Sequence, residues 1–348
     1  MIREDPGLDV STIAACLNEH YGLRAASITY LPIGYDFNAA VYEVVSPDGI
    51  TSFLKIRFGP MHEPGLLVPV ALADLGVPNL LASIRTRSSR LWCALAGYPG
   101  YTVVLYPFIR GENAMVAGMD DAQWRTFGST LRAVHDSGLG EQLRGLLPVE
   151  TFALSSAAKV RRLLDLILAD GARFDSPVAS SFAAFWRENA DRICDLLARA
   201  EALGNTLQAW RFDHVLCHAD IHAANILVGD DGRIHLIDWD GPLLAPRERD
   251  LLFVIGSRIA RVVEPREETL FFAGYGPVEI DPAALIYYRY ERIVEDLGEF
   301  GESVFLDPSL GEEVRAAEAA LSMGFFAPGG DVEVAETIVR QREASESR

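Results

Sequence analysis

Short apolar runs separated by turn residues fill the first third of the chain. Residues 50–57 alternate strictly, so that Lys55 shares one face of a predicted strand with Phe53. Helices are predicted at residues 8–22 and 64–75, where the apolar positions follow a helical period. Similar apolar runs give six predicted strands: residues 28–33, 39–45, 50–57, 80–86, 91–95 and 102–105. These segments predict a mostly antiparallel sheet with one inserted helix.

Helical periodicity takes over after residue 107. Six further segments are predicted helices: residues 120–137, 156–170, 178–203, 247–262, 283–300 and 310–322. The predicted fold class is therefore α+β. An N-terminal lobe with the antiparallel sheet and one helix spans residues 1–106, and a hinge spans residues 107–112. A larger, mainly helical C-terminal lobe spans residues 113–340.

The stretch from 214 to 240 breaks the helical pattern. Two short apolar strands flank the turn formed by residues 229–232, which predicts a β-hairpin. Asn225 stands at one end of this hairpin and Asp238 at the other, so folding the hairpin brings the two side chains together. Asp220 lies on the loop that leads into it. Three oxygen-bearing side chains are therefore predicted to converge.

Convergent acid and amide side chains suit Mg²⁺, a hard cation that shares its coordination with substrate phosphates. The order of residues also follows the protein-kinase pattern H-x-D-x-x-x-x-N with a later metal-binding Asp, here from His218 to Asn225 and then at Asp238. Phosphoryl transfer needs a carboxylate that orients the attacking hydroxyl and accepts its proton. Asp220 is the predicted catalytic carboxylate, and Asn225 and Asp238 are the predicted metal ligands.

The histidines of this stretch offer an alternative interpretation. His214, His218 and His222 repeat every four residues, as zinc ligands on a helix do, which would favour a metal-dependent hydrolase. The segment is apolar on both sides of the repeat and runs directly into the hairpin strands, so a zinc helix is disfavoured. His218 is instead predicted to be a buried residue that holds the loop by hydrogen bonds to its backbone.

The loop and hairpin, with Ile237-Asp238-Trp239-Asp240, resemble the aminoglycoside phosphotransferase family, which shares the bilobal protein-kinase-like fold. Three softer likenesses point to its spectinomycin phosphotransferase branch: residues 105–111, 237–251 and 287–296. The resemblance spans roughly residues 25 to 300. It implies an ATP- or GTP-dependent kinase that uses Mg²⁺ and phosphorylates a hydroxyl of a small molecule.

The resemblance also implies which residues bind the nucleotide. Lys55 matches the lysine that holds the phosphates, and Glu63 matches the helix carboxylate that fixes this lysine, although an acid at a helix start also favours the helix dipole. The loop from Gly34 to Asn38 matches the loop over the phosphates, although it has one glycine where the protein-kinase pattern has three. Adenine is expected at Tyr106 to Phe108.

Composition narrows the choice of partners. The chain has 348 residues and a net charge of −18, which argues against a nucleic-acid partner. The charge would also attract a cationic small molecule, although ordinary solubility charge is the simpler explanation of it. No apolar run reaches the length of a membrane span and the first residues do not resemble a signal peptide, so a cytoplasmic location without a membrane partner is expected. The four cysteines are widely spaced, which favours reduced, mostly buried thiols over a zinc ribbon or a disulfide framework.

Acidic residues of the helical lobe are the predicted contacts of the molecule that accepts the phosphoryl group. Glu291, Glu295 and Asp296 lie on the predicted helix at 283–300, and Asp240 follows the metal-binding position. These residues would suit the protonated amines of an aminocyclitol such as spectinomycin, although a solvated acidic face is the simpler explanation for any one of them. Choline-like compounds, amino-alcohols and sugars remain alternative acceptors, and a silent nucleotide-binding regulator is a further class.

Overall fold

The computed structural model describes residues 5–33, 38–171, 173–174, 176–308 and 310–337. The chain folds into two compact units. The first unit comprises Met1–Pro148, Val215–Leu244 and Ile259–Pro277, and the second comprises Val149–His214, Ala245–Arg258 and Val278–Arg348. The mixed α+β class predicted from the sequence is confirmed, whereas the hinge at residues 107–112 stays a prediction.

The first third of the chain contains a five-stranded antiparallel sheet. Its strands are β1 (Ser27–Leu31), β2 (Ala39–Val45), β3 (Thr51–Phe58), β4 (Cys93–Ala94) and β5 (Tyr101–Pro107), in the order β1-β2-β3-β5-β4. Lys55 on the central strand β3 lies opposite Val41 on one side and Val104 on the other. The sheet therefore fixes the position of this lysine through two neighbouring strands.

One face of the sheet packs on an N-terminal helix. Helix α1 (Val10–Cys16) starts at Asp9, whose side chain accepts a hydrogen bond from the Thr12 amide, and it continues as one π-helical turn, Leu17–Tyr21. Leu54 and Ile56 of β3 are buried in this core, as the alternating sequence predicts. Helix α2 (Glu63–Asp74) follows β3 and matches the predicted helix within one residue at each end.

The predicted strand at residues 80–86 is not formed. Strand β4 already occupies the outer edge of β5 at Val103 and Thr102, so the segment keeps a single backbone hydrogen bond to β5, from Ile84 N to Leu105 O at 2.7 Å. At its start, Leu80 forms an isolated bridge with Leu236 of the later hairpin. An apolar run alone could not show that this segment divides its contacts between β5 and the later hairpin.

The rest of the first unit combines a small sheet with helices. Strands β6 (Gly111–Asn113), β8 (Ile226–Gly229) and β9 (Ile234–Leu236) pair in the order β6-β8-β9, and β7 (Val215–Cys217) and β10 (Leu243–Ala245) are further short strands. The helices are α3 (Ala114–Ala117), α4 (Asp121–His135), α5 (Leu139–Gln142) and α10 (Pro265–Tyr275). Glycine lets α4 and α10 cross closely, because a Cβ at Gly274 would lie 1.9 Å from the Arg125 carbonyl oxygen. Helix α10 was not predicted from the sequence.

The second unit is helical. It contains α6 (Ala157–Leu168), α7 (Pro177–Glu188), α8 (Ala190–Leu207), α9 (Glu248–Leu251), α11 (Pro282–Leu306) and α12 (Glu312–Gly324). Its core includes Phe182, Trp186 and Leu297. Among the helices in the described part of the chain, none is both long enough and apolar enough to cross a bilayer.

Two helix predictions in this unit were wrong in length. The predicted helix at 178–203 is two helices, because Asn189 turns the backbone to φ −102° and ψ 10° and its side-chain amide donates to the Phe185 carbonyl. The predicted helix at 247–262 is helical only over α9, and Gly256 with a φ of 53° prevents any regular continuation.

Candidate active site

The hairpin predicted from the sequence is present and places Asn225 beside Asp238. The turn is closed by hydrogen bonds from Gly229 N to Arg233 O and from Gly232 N to Gly229 O, each 2.8 Å long. At the open end, the Ile237 amide donates to the Asn225 carbonyl oxygen at 3.0 Å. This last bond holds the residue before Asp238 against Asn225, so the two predicted metal ligands are neighbours.

His218 holds the loop that carries Asp220 against the end of the hairpin. Its side chain is fully buried, Nδ1 accepts a hydrogen bond from the Asp220 amide at 3.3 Å, and Nε2 lies 2.9 Å from the Ile237 carbonyl oxygen. Because Nδ1 accepts, Nε2 carries the proton and donates to Ile237. The Trp239 ring packs on the imidazole with centroids 4.4 Å apart. Both ring nitrogens of His218 are thus engaged by the backbone of the loop and the hairpin, as the loop-holding role predicts.

Asp220 is positioned by two neighbours on the same loop. Asn225 Nδ2 donates to the Asp220 carbonyl oxygen at 2.8 Å and to its Oδ2 at 3.1 Å. His222 accepts a hydrogen bond from the Ala224 amide at Nδ1, which leaves the proton on Nε2, 3.4 Å from Asp220 Oδ2. The amide of Asn225 therefore turns its nitrogen towards Asp220, and its oxygen is the end that can bind a cation.

Two residues of the site adopt a backbone conformation that side chains rarely take. Ala219 has a φ of 73° and Asp238 a φ of 62°. Left-handed backbone at a residue with a side chain costs of order 1 kcal/mol and is found most often where function requires a particular side-chain direction. Here Ala219 precedes the predicted catalytic residue Asp220, and Asp238 is itself a predicted metal ligand.

Lys55 reaches the same cluster from strand β3. Its Nζ lies 4.0 Å from Asp240 Oδ2, and the lysine side chain is 22% exposed whereas that of Asp240 is 57% exposed. Burial against the protein and the neighbouring Asp240 raise the pKa of Asp238, and Lys55 opposes this shift. The pair between Lys55 and Asp240 is long and partly screened by solvent, so it is weak enough for a phosphate to replace the carboxylate.

Among the described residues, the ion pair of Lys55 is with Asp240, and Glu63 contacts Trp92 instead of Lys55. It is the first residue of α2, its side chain is exposed, and Oε1 accepts a hydrogen bond from the Trp92 indole nitrogen at 3.1 Å. Gly34 lies outside the described residues. Asn38 lies just before β2, where its carbonyl oxygen accepts a hydrogen bond from the Phe58 amide at 2.7 Å.

Helix α2 supports the site through a glycine that the sequence did not single out. A Cβ at Gly65 would lie only 2.6 Å from the Trp239 carbonyl oxygen, so the helix touches the turn that carries Asp238 and Asp240. The available signal was a glycine in the first turn of a helix, where it lowers helix propensity and so needs a packing reason.

The aromatic residues predicted to meet the base lie at the end of β5. The ring of Phe53 lies 6.3 Å from Tyr106 and 6.4 Å from Phe108, measured between centroids. Burial raises the pKa of Tyr106, and the negative charges of Asp240 and Asp238 raise it further, so this tyrosine stays neutral. Phe53, Tyr106 and Phe108 therefore form one aromatic group. Of these three, Tyr106 interacts electrostatically with the acidic turn at Asp238 and Asp240.

The remaining predicted acids belong to the second unit, on α11. Arg249 of α9 is buried, with Nε 3.8 Å from Glu291 Oε2 and Nη2 4.0 Å from Glu295 Oε2. Burial raises the pKa of Glu291 to about 7, an effect that Arg249 reduces. Asp296 pairs instead with Arg292 at 3.1 Å, and both side chains are mostly buried. Sequence reasoning missed Arg249, which ties Glu291 and Glu295 together.

The fold and the site define a phosphotransferase. Residues 29–288 match the APH model, described as the phosphotransferase enzyme family, and the chain belongs to this family. The kinase-like fold predicted from the resemblance is confirmed.

Known phosphotransferase structures and one curated protein are similar to this chain. The chain is similar to the crystal structure of spectinomycin phosphotransferase APH(9)-Ia in complex with ADP and spectinomycin, with 30% identity and a TM-score of 0.84 over 95% of this chain and 99% of that chain. It is also similar to the AMP-bound complex of the same enzyme, with 30% identity and a TM-score of 0.80 over 93% and 97% of the two chains. Protein StrN of Streptomyces griseus is 28% identical over 196 residues, which span 54% of this chain and 59% of StrN, less than two thirds of its length.

Replacing Gly65 by Ala tests the support that α2 gives to the acidic turn. The added methyl group would push α2 and the Trp239 carbonyl apart, so affinity for Mg·ATP should fall by about five- to twenty-fold, which corresponds to ~1–2 kcal/mol. Isothermal titration calorimetry measures this affinity. The matched control is Gly241→Ala, because a Cβ there meets no atom within 4 Å. Equal affinities of the two variants would contradict the role of Gly65.

Proposed function

We propose that this protein is a small-molecule kinase that transfers the γ-phosphoryl group of ATP or GTP to a hydroxyl of a small cationic acceptor. The acceptor class that fits best is an aminocyclitol such as spectinomycin, the compound bound by the similar phosphotransferase. The observation that carries the proposal is the cluster of Asp220, Asn225 and Asp238, with Lys55 reaching the adjoining Asp240. A cytoplasmic location fits a reaction that consumes ATP.

Asn225 and Asp238 are the proposed ligands of Mg²⁺. Their oxygens form a hard donor set, and the pKa of Asp238 is raised first by burial and then by the charge of Asp240, which a bound cation would compensate. Bound Mg²⁺ would neutralise charge on the nucleotide phosphates. Lys55 is the proposed phosphate contact, because its ammonium would exchange Asp240 for a more highly charged partner.

Asp220 is the proposed base that orients the acceptor hydroxyl and takes its proton. Its carboxylate is 40% exposed, so an acceptor can approach it, and the hydrogen bond from Asn225 together with the nearby His222 ring restricts its rotation. The proton then leaves the hydroxyl oxygen as that oxygen bonds to the γ-phosphorus and the bond to the nucleoside diphosphate breaks. A silent regulator would not need all of Lys55, Asp220, Asn225 and Asp238 in place.

The first test separates chemistry from nucleotide binding. Asp220→Ala should lower acceptor-dependent ATP consumption by at least about 100-fold, because a general base contributes on that scale, while Mg·ATP affinity stays within about threefold. Asp238→Ala should weaken Mg·ATP binding itself. The measurements are coupled ADP release with a panel of spectinomycin, aminoglycosides, choline and sugars, and calorimetry for binding.

Asp230→Ala is the matched control, because it removes an exposed carboxylate at the turn of the same hairpin. It should leave both measurements unchanged. Near-full turnover by Asp220→Ala would contradict the proposed mechanism. ATP consumption that does not respond to any acceptor would contradict the proposed kinase function.

Glu295 is the proposed acceptor contact on α11. Glu291 is 16% exposed and accepts a hydrogen bond from Tyr287 at 3.3 Å, and Asp296 is likewise engaged by Arg292. Glu295 is 41% exposed at the side chain, although its Oε2 is buried. It is therefore the one of these three acids on α11 that is most accessible to an ammonium group.

Replacing Glu295 by Gln tests this contact. The substitution removes the charge but keeps the shape, so the KM for a cationic acceptor should rise about five- to twenty-fold while the KM for ATP stays constant. Glu299→Gln is the control, because Glu299 lies one turn further along the same helix and pairs with Lys159. An unchanged acceptor KM in Glu295→Gln, with the wild-type reaction intact, would contradict the contact but not the kinase function.

A further inference from the structure

Two cysteines that are 77 positions apart meet at the edge of the five-stranded sheet. Cys16 is the last residue of α1 and Cys93 is the first residue of the edge strand β4. Their sulfur atoms are 3.5 Å apart, and both side chains are buried. Each residue alone is an ordinary core thiol, but together they place two sulfur atoms where both could bind the same metal ion.

A histidine completes the group. The Nδ1 or Nε2 atom of His20 and the two sulfur atoms all lie within 4.8 Å of one another. His20 follows Cys16 by four residues in the π-helical turn Leu17–Tyr21, and its side chain is half-buried. Residues four apart lie on the same side of a helix, and single π turns occur frequently at functional sites.

The turn that carries His20 is fixed on both sides. The His20 carbonyl oxygen accepts a hydrogen bond from the Arg87 amide at 2.7 Å, and the Tyr21 hydroxyl donates to the Val103 carbonyl at 3.2 Å. Gly22 ends the turn with a φ of 70°. The three potential ligands therefore come from a region that is already ordered, which lowers the cost of gathering them around an ion.

The spacing suits a tetrahedral ion. Metal–sulfur bonds of about 2.3 Å place two thiolates about 3.8 Å apart at a tetrahedral zinc centre, close to the observed separation of 3.5 Å. A sulfur and an imidazole nitrogen at the same centre are about 3.6 Å apart, which the limit of 4.8 Å allows. Two thiolates and one imidazole form the soft donor set that selects Zn²⁺ over Mg²⁺.

We propose that Cys16, His20 and Cys93 bind one Zn²⁺ ion in the first unit, at a site separate from the cluster around Asp220. Binding of the ion would release the thiol protons to solvent. A water molecule would complete the four ligands that Zn²⁺ takes. The ion links α1 to the edge of the sheet and thereby stabilises the first unit.

A disulfide between Cys16 and Cys93 is the competing fate of the pair. Its formation would need an oxidant that removes two electrons and two protons, and it would give His20 no role. The presence of the imidazole beside the two sulfurs therefore favours the metal, and the oxidised pair becomes an outcome of the test.

The test uses the full chain in reduced, chelator-treated form. Titration with Co²⁺ should give sulfur-to-cobalt charge-transfer absorption that saturates at one ion per chain, and Zn²⁺ should displace the cobalt and raise the melting temperature. Cys16→Ser and Cys93→Ser should lose the absorption. His20→Gln should retain part of it, with an affinity at least about tenfold weaker.

His20→Gln keeps the proposal testable if a buried serine prevents folding, because His20 is only half-buried. Cys194→Ser is the matched control, because Cys194 is an exposed free cysteine, and it should bind Co²⁺ like the wild type. Three results would overturn the proposal. They are the absence of charge-transfer absorption in the wild type, unchanged cobalt affinity in His20→Gln, and a Cys16–Cys93 disulfide that persists after reduction and excludes the metal.

Discussion

The backbone of Ile237 is the point on which the candidate active site depends. Its amide donates to the carbonyl of Asn225, and its carbonyl accepts from the buried imidazole of His218. Nδ1 of His218 in turn accepts a hydrogen bond from the Asp220 amide. One residue of the hairpin thus connects the loop that carries Asp220, the predicted ligand Asn225 and the strand that leads to Asp238. Each bond contributes little to stability by itself, but together they set the relative positions of three functional side chains.

This network holds a strained conformation. Ala219 and Asp238 both have left-handed backbone, which their side chains disfavour, and each is adjacent to a residue held by His218. The packing of Trp239 on His218 and of Gly65 against the Trp239 carbonyl adds contacts on the other side of the turn. The surroundings therefore fix the acidic turn, and helix α2 contributes to the site as a support for this turn.

Much of the site could be predicted from the sequence because its parts are close in the chain. A two-strand hairpin has a local turn signal, so the proximity of Asn225 and Asp238 followed from residues 220–238 alone. Lys55 followed from strict alternation in one strand and from the resemblance to a family. The long-range contacts carried no such signal. Periodicity could not show that Glu63 contacts Trp92, that Arg249 contacts Glu291, or that the segment at 80–86 does not form a strand.

The pairing of two cysteines is another long-range contact that the sequence pattern did not reveal. Spacing along the chain argued against a zinc ribbon, yet the sheet brings Cys16 and Cys93 together from distant positions. Only the register of β4 at the sheet edge and the packing of α1 make this contact visible. Long-range proximity of a few reactive side chains is where the folded structure adds most to the sequence.

The central claim is that Asn225 and Asp238 hold the metal of a nucleotide-bound phosphotransferase. The most direct measurement is a crystal structure with Mn²⁺ in place of Mg²⁺ and a non-hydrolysable ATP analogue, in which anomalous scattering locates the ion. We expect an anomalous peak within bonding distance of Asn225 Oδ1 and the Asp238 carboxylate, with the γ-phosphate facing Asp220. A peak bound by other residues, or a nucleotide remote from Asp220, would contradict the claim.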